Sequence, residues 1–98
     1  MEAVTVEDAK TYCRIENALE DTLLASMIVA ARQVAEARCR RGMTVEDWPE
    51  GVPEQVRIWM LIWISTQYEN REAFAEGKVY RLEHVDHLLD PYVVPGLA

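Results

Sequence analysis

Residues 53–74 read PEQVRIWMLIWISTQYENREAF, and their reading decides the fold. Pro53 suits the first position of a helix, where its missing N–H costs nothing. No glycine or second proline interrupts the stretch before Gly77. A helix is therefore predicted from Pro53 to about Phe74. At about 100° per residue, Val56, Trp59, Met60, Trp63 and Ile64 occupy one side and Ile58, Leu61 and Ile62 another. The first half is apolar nearly all round, a pattern that normally means burial on every side. Yet 98 residues can supply only one long partner helix and some short pieces. One side is expected to pack inside the chain, and part of the other to face a second subunit. Trp59 and Trp63 belong either to the monomer core or to that subunit contact, with Ile62 beside them, because large aromatics anchor both.

The partner helix lies upstream. Thr5-Val6-Glu7-Asp8 opens like an N-cap, since a Thr hydroxyl accepts a following backbone N–H and acids suit the first turn. A short helix is expected from about Val6 to Cys13. Asn17 to Asp21 reads as the next cap, followed by a long helix from about Leu19 to Arg41. There Leu23, Leu24, Met27, Ile28, Ala31, Val34 and Ala35 fall in one arc of about 140°. Arg32, Gln33 and Glu36 lie opposite. Gly42 is the expected left-handed residue after the last turn.

The remaining segments are connections. Residues 43–53, MTVEDWPEGVP, form a loop whose only large apolar anchor is Trp48. Residues 75–83 form a polar connection with a short extended piece at Lys78 to Leu82. A short helix is expected from His84 to Leu89, stopped by Pro91, and the tail VVPGLA is not helical. There are no internal repeats and no domain boundary. The expectation is a single domain over residues 1–98, mostly all-α: a small helical bundle with one long helix, a second apolar helix and short flanking helices.

Composition narrows the function. Half of the residues are apolar, too many for a disordered tail. Ten Lys and Arg stand against seventeen Asp and Glu, a formal net charge of −7. Gripping nucleic acid or an anionic membrane needs clustered cations in excess, so neither is expected. The acidic start Met1-Glu2-Ala3-Val4 has no apolar stretch of signal-peptide type. The longest apolar run, Ile58 to Ile64, is far below the roughly 20 residues that span a bilayer. A cytosolic origin follows, and two cysteines, Cys13 and Cys39, make no disulfide framework there.

Catalytic and metal chemistry find little support. His84 and His87 share a helical face, and with Cys13 and Cys39 they make a nominal zinc set. The cysteines are 26 residues apart and neither has a close partner, so no metal site and no cofactor are expected. No nucleophile elbow, zinc-protease, P-loop or dinucleotide-binding motif occurs. The carboxylates are scattered, and the chain reads as non-catalytic. Arg38, Arg40 and Arg41 form the one basic cluster. It serves either as a contact for phosphate or an acidic partner, or as charge placed where a helix C-terminus favours it. Tyr68, Asn70 and Arg71 end the apolar helix, where Arg71 has either helix-end carbonyls or a partner carboxylate within reach.

Together these residues resemble a known family, the small head–tail connector or adaptor proteins of long-tailed bacteriophages. The resemblance is carried by VTVEDAKTYCRIE (4–16), EDTLLASMIVAARQVAEARCRRGM (20–43), PEQVRIWMLIWISTQYENREAF (53–74) and VDHLLDPYVV (85–94), in that order. Val93 stands where the family often has Arg after Pro-Tyr. Trp59 and Trp63 are larger than is usual there, and the 43–51 loop has no recognised counterpart.

The resemblance implies a helical protein that assembles rather than catalyses. It would form a homo-oligomeric ring beneath the portal, dodecameric if it follows the portal's symmetry. The ring would extend the DNA channel and receive the next neck or stopper protein, placing the chain in the virion neck and, during assembly, in the host cytoplasm. A negative wall would let DNA pass without specific binding. Trp59, Ile62, Trp63, Tyr68, Asn70 and Arg71 are the expected packing or interface residues. Trp48, Arg38, Arg40, Arg41 and Tyr92 are the candidates for touching other proteins, and residues 43–52 and 75–83 the candidates for reordering. A small dimeric helical regulatory module is the alternative that shares the apolar helix and the acidity.

Overall fold

The computed structural model describes residues 4–42 and 48–93. Residues 1–3, the first five residues of the 43–53 loop and residues 94–98 of the tail lie outside them. Four α-helices and two 3-10 helices make up the structure: α1 Val6–Cys13, α2 Asp21–Cys39, α3 Glu54–Glu69, α4 Arg71–Ala75, then 3-10 helices Glu83–Leu88 and Asp90–Tyr92. Among the described residues there is no strand. The mostly all-α bundle read from the sequence is the fold.

Helix α1 starts where the sequence places it, on a reciprocal cap. Asp8 N donates to Thr5 Oγ1 and Thr5 N donates to Asp8 Oδ2, each at 3.1 Å, so two orphan amides are satisfied at once. The start of α2 differs. Asn17 spends its side chain on Leu19 N at 3.0 Å, and the cap residue, Glu20, makes no side-chain capping bond. The helix accordingly begins at Asp21 rather than Leu19. At its far end the left-handed residue is Arg40, with φ 58°, two residues before the expected Gly42. Arg14 closes α1 in the same conformation, with φ 59°.

The predicted single helix over 53–74 is two. Thr66 donates to Ile62 O and Asn70 donates to Thr66 O, side chains returning to the carbonyls of their own helix. Asn70 leaves helical geometry (φ −120°, ψ 39°), its N–H bonds three residues back to Gln67 O, and α4 restarts at Arg71. Such local side-chain bonds compete with the regular helix. The expected extended piece at Lys78–Leu82 forms no ladder, because no second strand is there to pair with it. The last segment winds as 3-10 helix, and Pro91 lies inside the second of these rather than stopping the first.

Helices α2 and α3 pack along each other, with Tyr68 near the end of α3 bonded to Glu20 at the start of α2, and supply most of the core; α1 packs against both. From α2 the core takes Leu24, Met27, Ile28, Ala31, Ala35 and Cys39; from α3 it takes Val56, Trp59, Met60, Leu61, Trp63, Ile64 and Gln67. The arc expected on α2 is the buried arc, except that Val34 is exposed and Leu23 half-buried. Leu82 and Leu89 close the core from the C-terminal segment. Polar ties fix the helix ends: Lys10 to Asp21 at 3.0 Å, Arg57 to Asp8 at 3.3 Å and Arg57 to Glu54 at 2.9 Å.

Candidate functional site

The residues singled out in the sequence fall into three places. Trp59 and Trp63 lie inside the chain, each 2 % exposed. The indole N–H of Trp59 donates to Asp86 Oδ1 at 3.0 Å, which satisfies a buried donor and ties α3 to the first 3-10 helix. Trp63 meets Phe74 edge to face, with ring centroids 6.4 Å apart. That contact folds α4 back onto α3. The monomer accommodates both indoles, and the apolar surface left on α3 is at Ile58, exposed, and Ile62, half-buried.

At one end of the bundle, Tyr68 and Arg71 converge on Glu20, while Asn70 is spent on its own helix, donating to Thr66 O. Tyr68 OH donates to Glu20 Oε1 at 2.6 Å, and Arg71 Nε pairs with Glu20 Oε2 at 2.9 Å. Arg71 also donates to the carbonyl of Tyr68 at 3.1 Å and its guanidinium stacks 4.7 Å from the phenol ring centroid. One carboxylate thus clamps the α3–α4 break to the entry of α2. Donation to Glu20 pushes the Tyr68 phenol above its ordinary pKa, with burial adding to the shift, so it stays a donor. Of the two readings of Arg71, the helix-end carbonyl is realised, and the carboxylate it meets is Glu20 of its own chain.

At the opposite end, Trp48, Arg38, Arg41 and Tyr92 gather between the end of α2 and the start of α3. Arg41 lies over the Trp48 ring at 4.1 Å. Trp48 meets Tyr92 edge to face at 5.8 Å, and Tyr92 OH donates to Gln55 Oε1 at 3.3 Å. Arg38 pairs with Asp90 at 3.3 Å, both half-exposed. Arg40 does not join them; it is the exposed left-handed residue. Arg38 therefore holds the C-terminal segment to α2, and Arg41 holds Trp48, whose ring in turn meets Tyr92.

Sequence reasoning passed over Gln67, which is fully buried and is the one polar residue of the core among the described residues. Its amide takes both backbone groups of Tyr80: Nε2 donates to Tyr80 O at 2.7 Å and Tyr80 N donates to Oε1 at 3.0 Å. The signal was its place four residues after Trp63, on the buried stripe.

Burial pushes both thiols above their ordinary pKa; for Cys13, a hydrogen bond with Ser65 opposes the rise and nearby Glu69 adds to it. Neither is a low-pKa nucleophile. His84 and His87 are exposed, and no three His, Cys, Asp or Glu side chains among the described residues could share a metal ion.

Two surfaces flank the core. An open groove of about 690 Å³ runs between α2, α3 and residues 79–86, lined by Val34, Trp59, Trp63, Val79, Tyr80 and Leu82. A shallow apolar patch joins Val4 and Val6 to Ala25, Ile28 and Val29.

A family model described as phage gp6-like head-tail connector protein matches residues 3–92 of the chain. No curated protein and no solved structure matches it.

Proposed function

The chain belongs to the phage gp6-like head-tail connector family, and from that premise we propose that it is a structural virion protein which assembles with copies of itself into a ring beneath the portal. The ring extends the DNA channel and offers a platform to the next neck or stopper protein. The protein resides at the head–tail junction of the virion and in the host cytoplasm during assembly, and it acts without cofactor or catalytic step.

The observation that carries this reading is the reach of the family match, which takes in all six helical elements. Physical features support it. The chain keeps Val29, Val34, Ile58, Val79 and Tyr80 exposed after its core is complete, apolar surface available to neighbours. Its net charge of −7 would repel DNA from a channel wall and leave it free to slide. No helix among the described residues is long and apolar enough to cross a membrane.

Electron microscopy of the purified protein, alone and mixed with purified portal, tests the proposal. The expected result is a ring with a central channel, in register with the portal when both are present. A dimer that persists over a wide concentration range and does not bind portal would overturn it in favour of a regulatory helical module.

A further inference from the structure

The Gln67 amide bonds both backbone groups of Tyr80, and this fixes the conformation there as well as the position. Tyr80 is extended, because an extended residue turns its N–H and C=O to the same side. Its neighbours in an extended segment turn theirs the opposite way. The N–H and C=O of Val79 and Arg81 therefore point away from Gln67, and among the described residues none of them has a hydrogen bond. We infer that residues 79–81 are an open strand edge, which takes an extended, acidic segment of a second protein by β-addition.

The edge is held ready for a partner. Gly77 turns the chain at φ 87°, and Lys78 N then donates to Ala73 O at 2.8 Å. Leu82 is buried at the other end of the segment. With Gln67 fixing the middle, an incoming strand orders only itself. Residues 78–81 are exposed, and the groove lined by Trp59 and Trp63 opens along Val79 to Leu82. An added strand has room there for the side chains it projects at every second position. Half-exposed Val79 and Tyr80 offer it apolar contact.

Charge separates a second copy of this chain from a different protein. Residues 78–82 read KVYRL, cationic at Lys78 and Arg81 and without a carboxylate. Both cations are exposed, and neither has an ion pair among the described residues. The other charged groups on the groove are engaged. Arg38 pairs with Asp90 at 3.3 Å, and Asp86 accepts from the Trp59 indole at 3.0 Å. Antiparallel pairing with the same segment of a second copy would gather like charges along one short ladder, which destabilises it. Among the described residues the chain has no strand to offer instead. The occupant belongs to a different chain, with carboxylates opposite Arg81 and Lys78 and apolar residues between them. This contact is independent of the ring reading.

The probe that tests it is the peptide acetyl-Thr-Glu-Val-Val-Glu-Thr-amide. In antiparallel register its carboxylates face Arg81 and Lys78 and its valines face Tyr80 and Val79. Amide exchange in the free, isotope-labelled protein is expected to be slow at Tyr80 and fast at Val79 and Arg81. Added peptide is expected to slow Val79 and Arg81 and leave Tyr80 unchanged. A peptide methylated on the backbone nitrogens that face Val79 and Arg81, or with Lys in place of Glu, is expected to lose binding. Arg81→Ala keeps the backbone edge and is expected to weaken binding about two- to fivefold. Arg81→Pro removes an outward N–H that the fold does not use, and is expected to abolish binding while Tyr80 stays protected. If Tyr80 loses its protection, Val79→Pro makes the same test from the other side. Protected Val79 and Arg81 amides in the free protein, equal binding of the methylated peptide, or no response to the parent peptide at millimolar concentration would overturn the inference. Protection of these amides that rises with protein concentration alone would overturn it in favour of a second copy.

Discussion

The side-chain amide of Gln67 grips the backbone of Tyr80 by two bonds, donating to its carbonyl at 2.7 Å and accepting from its N–H at 3.0 Å. A neighbouring strand would make the same pair of bonds, so one buried side chain stands in for a sheet partner. The connection between α4 and the first 3-10 helix is thereby pinned to α3. Replacing Gln67 by Leu keeps the volume and removes both bonds. Tyr80 is 48 % exposed, so water can reach its backbone groups. The expected loss of stability is about 1–2 kcal/mol, read as a lower denaturant midpoint with amide exchange at Tyr80 accelerated more than in α2. Equal exchange at Tyr80 in both proteins would show that the amide does not hold the segment.

Tyr68→Phe removes only the hydroxyl that donates to Glu20 at 2.6 Å. The acceptor is a partly solvated carboxylate that keeps its Arg71 partner, so the expected cost is about 1 kcal/mol. Arg71→Lys keeps the charge and loses the planar fork that reaches Glu20 and the Tyr68 carbonyl together. If the three side chains act as one clamp, the cost of the double variant differs from the sum of the single costs. Denaturant unfolding of the two single variants and the double variant measures the coupling; strict additivity would mean that the two contacts are independent.

The pattern of success in the sequence reading follows from what periodicity can see. Spacing exposes the burial stripes of α2 and α3 and the cap at Thr5, because these depend on neighbours three and four residues apart. It does not expose the break at Asn70, where residues 62, 66 and 70 form a relay of side-chain bonds inside an unbroken apolar pattern. Nor does it reveal what an aromatic touches. Trp59 and Trp63 fitted a core and an interface equally well until Asp86 and Phe74, 27 and 11 residues onward in the chain, were placed against them. Arg38 and Arg41 look like a helix-end cluster in sequence, and only the return of Asp90, alongside Trp48, gives them partners.

Asp8 makes the stability of α1 depend on pH. The N–H of Thr5 holds its carboxyl below the ordinary carboxylate value, the Thr5 hydroxyl and Arg57 contribute, and burial acts in the opposite direction. A carboxylate lowered in the folded state stabilises above its unfolded pKa, about 3.9. That stabilisation is lost as pH falls through the folded value. Asp8→Asn is therefore expected to be less stable than wild type at neutral pH and to approach it below about pH 3. A gap between the two melting temperatures that stays constant from pH 7 to pH 2.5 would contradict this.

Trp63→Ala opens a cavity between α3 and α4 in a core this small. With the ring 2 % exposed and set against Phe74, the expected cost is about 3–5 kcal/mol. That is a large part of the total stability of an ordinary domain. Trp48→Ala removes a half-buried ring held by Arg41 and Tyr92, and its cost is expected to be smaller. Thermal unfolding of the two variants checks the order, and an unchanged melting temperature in Trp63→Ala would remove that ring from the core that holds the fold.

Arg40 ends α2 at φ 58°, ψ 36°, where a Cβ crowds the following backbone. A residue other than glycine typically loses about 1–2 kcal/mol there. Glycine recovers that strain but raises the entropy of the unfolded chain, which takes back about 0.5–1 kcal/mol. Arg40→Gly is therefore expected to stabilise the protein by about 0.5–1 kcal/mol. The guanidinium it removes is exposed and, among the described residues, has no contact like that of Arg38 with Asp90 or Arg41 with Trp48, so little offsets the gain. Arg40→Val adds a branched Cβ at the same strained angle and is expected to destabilise. The pair separates backbone strain from charge, since both substitutions remove the same positive charge. If both variants shift the melting temperature in the same direction, the effect belongs to the charge at the helix end and not to the left-handed turn.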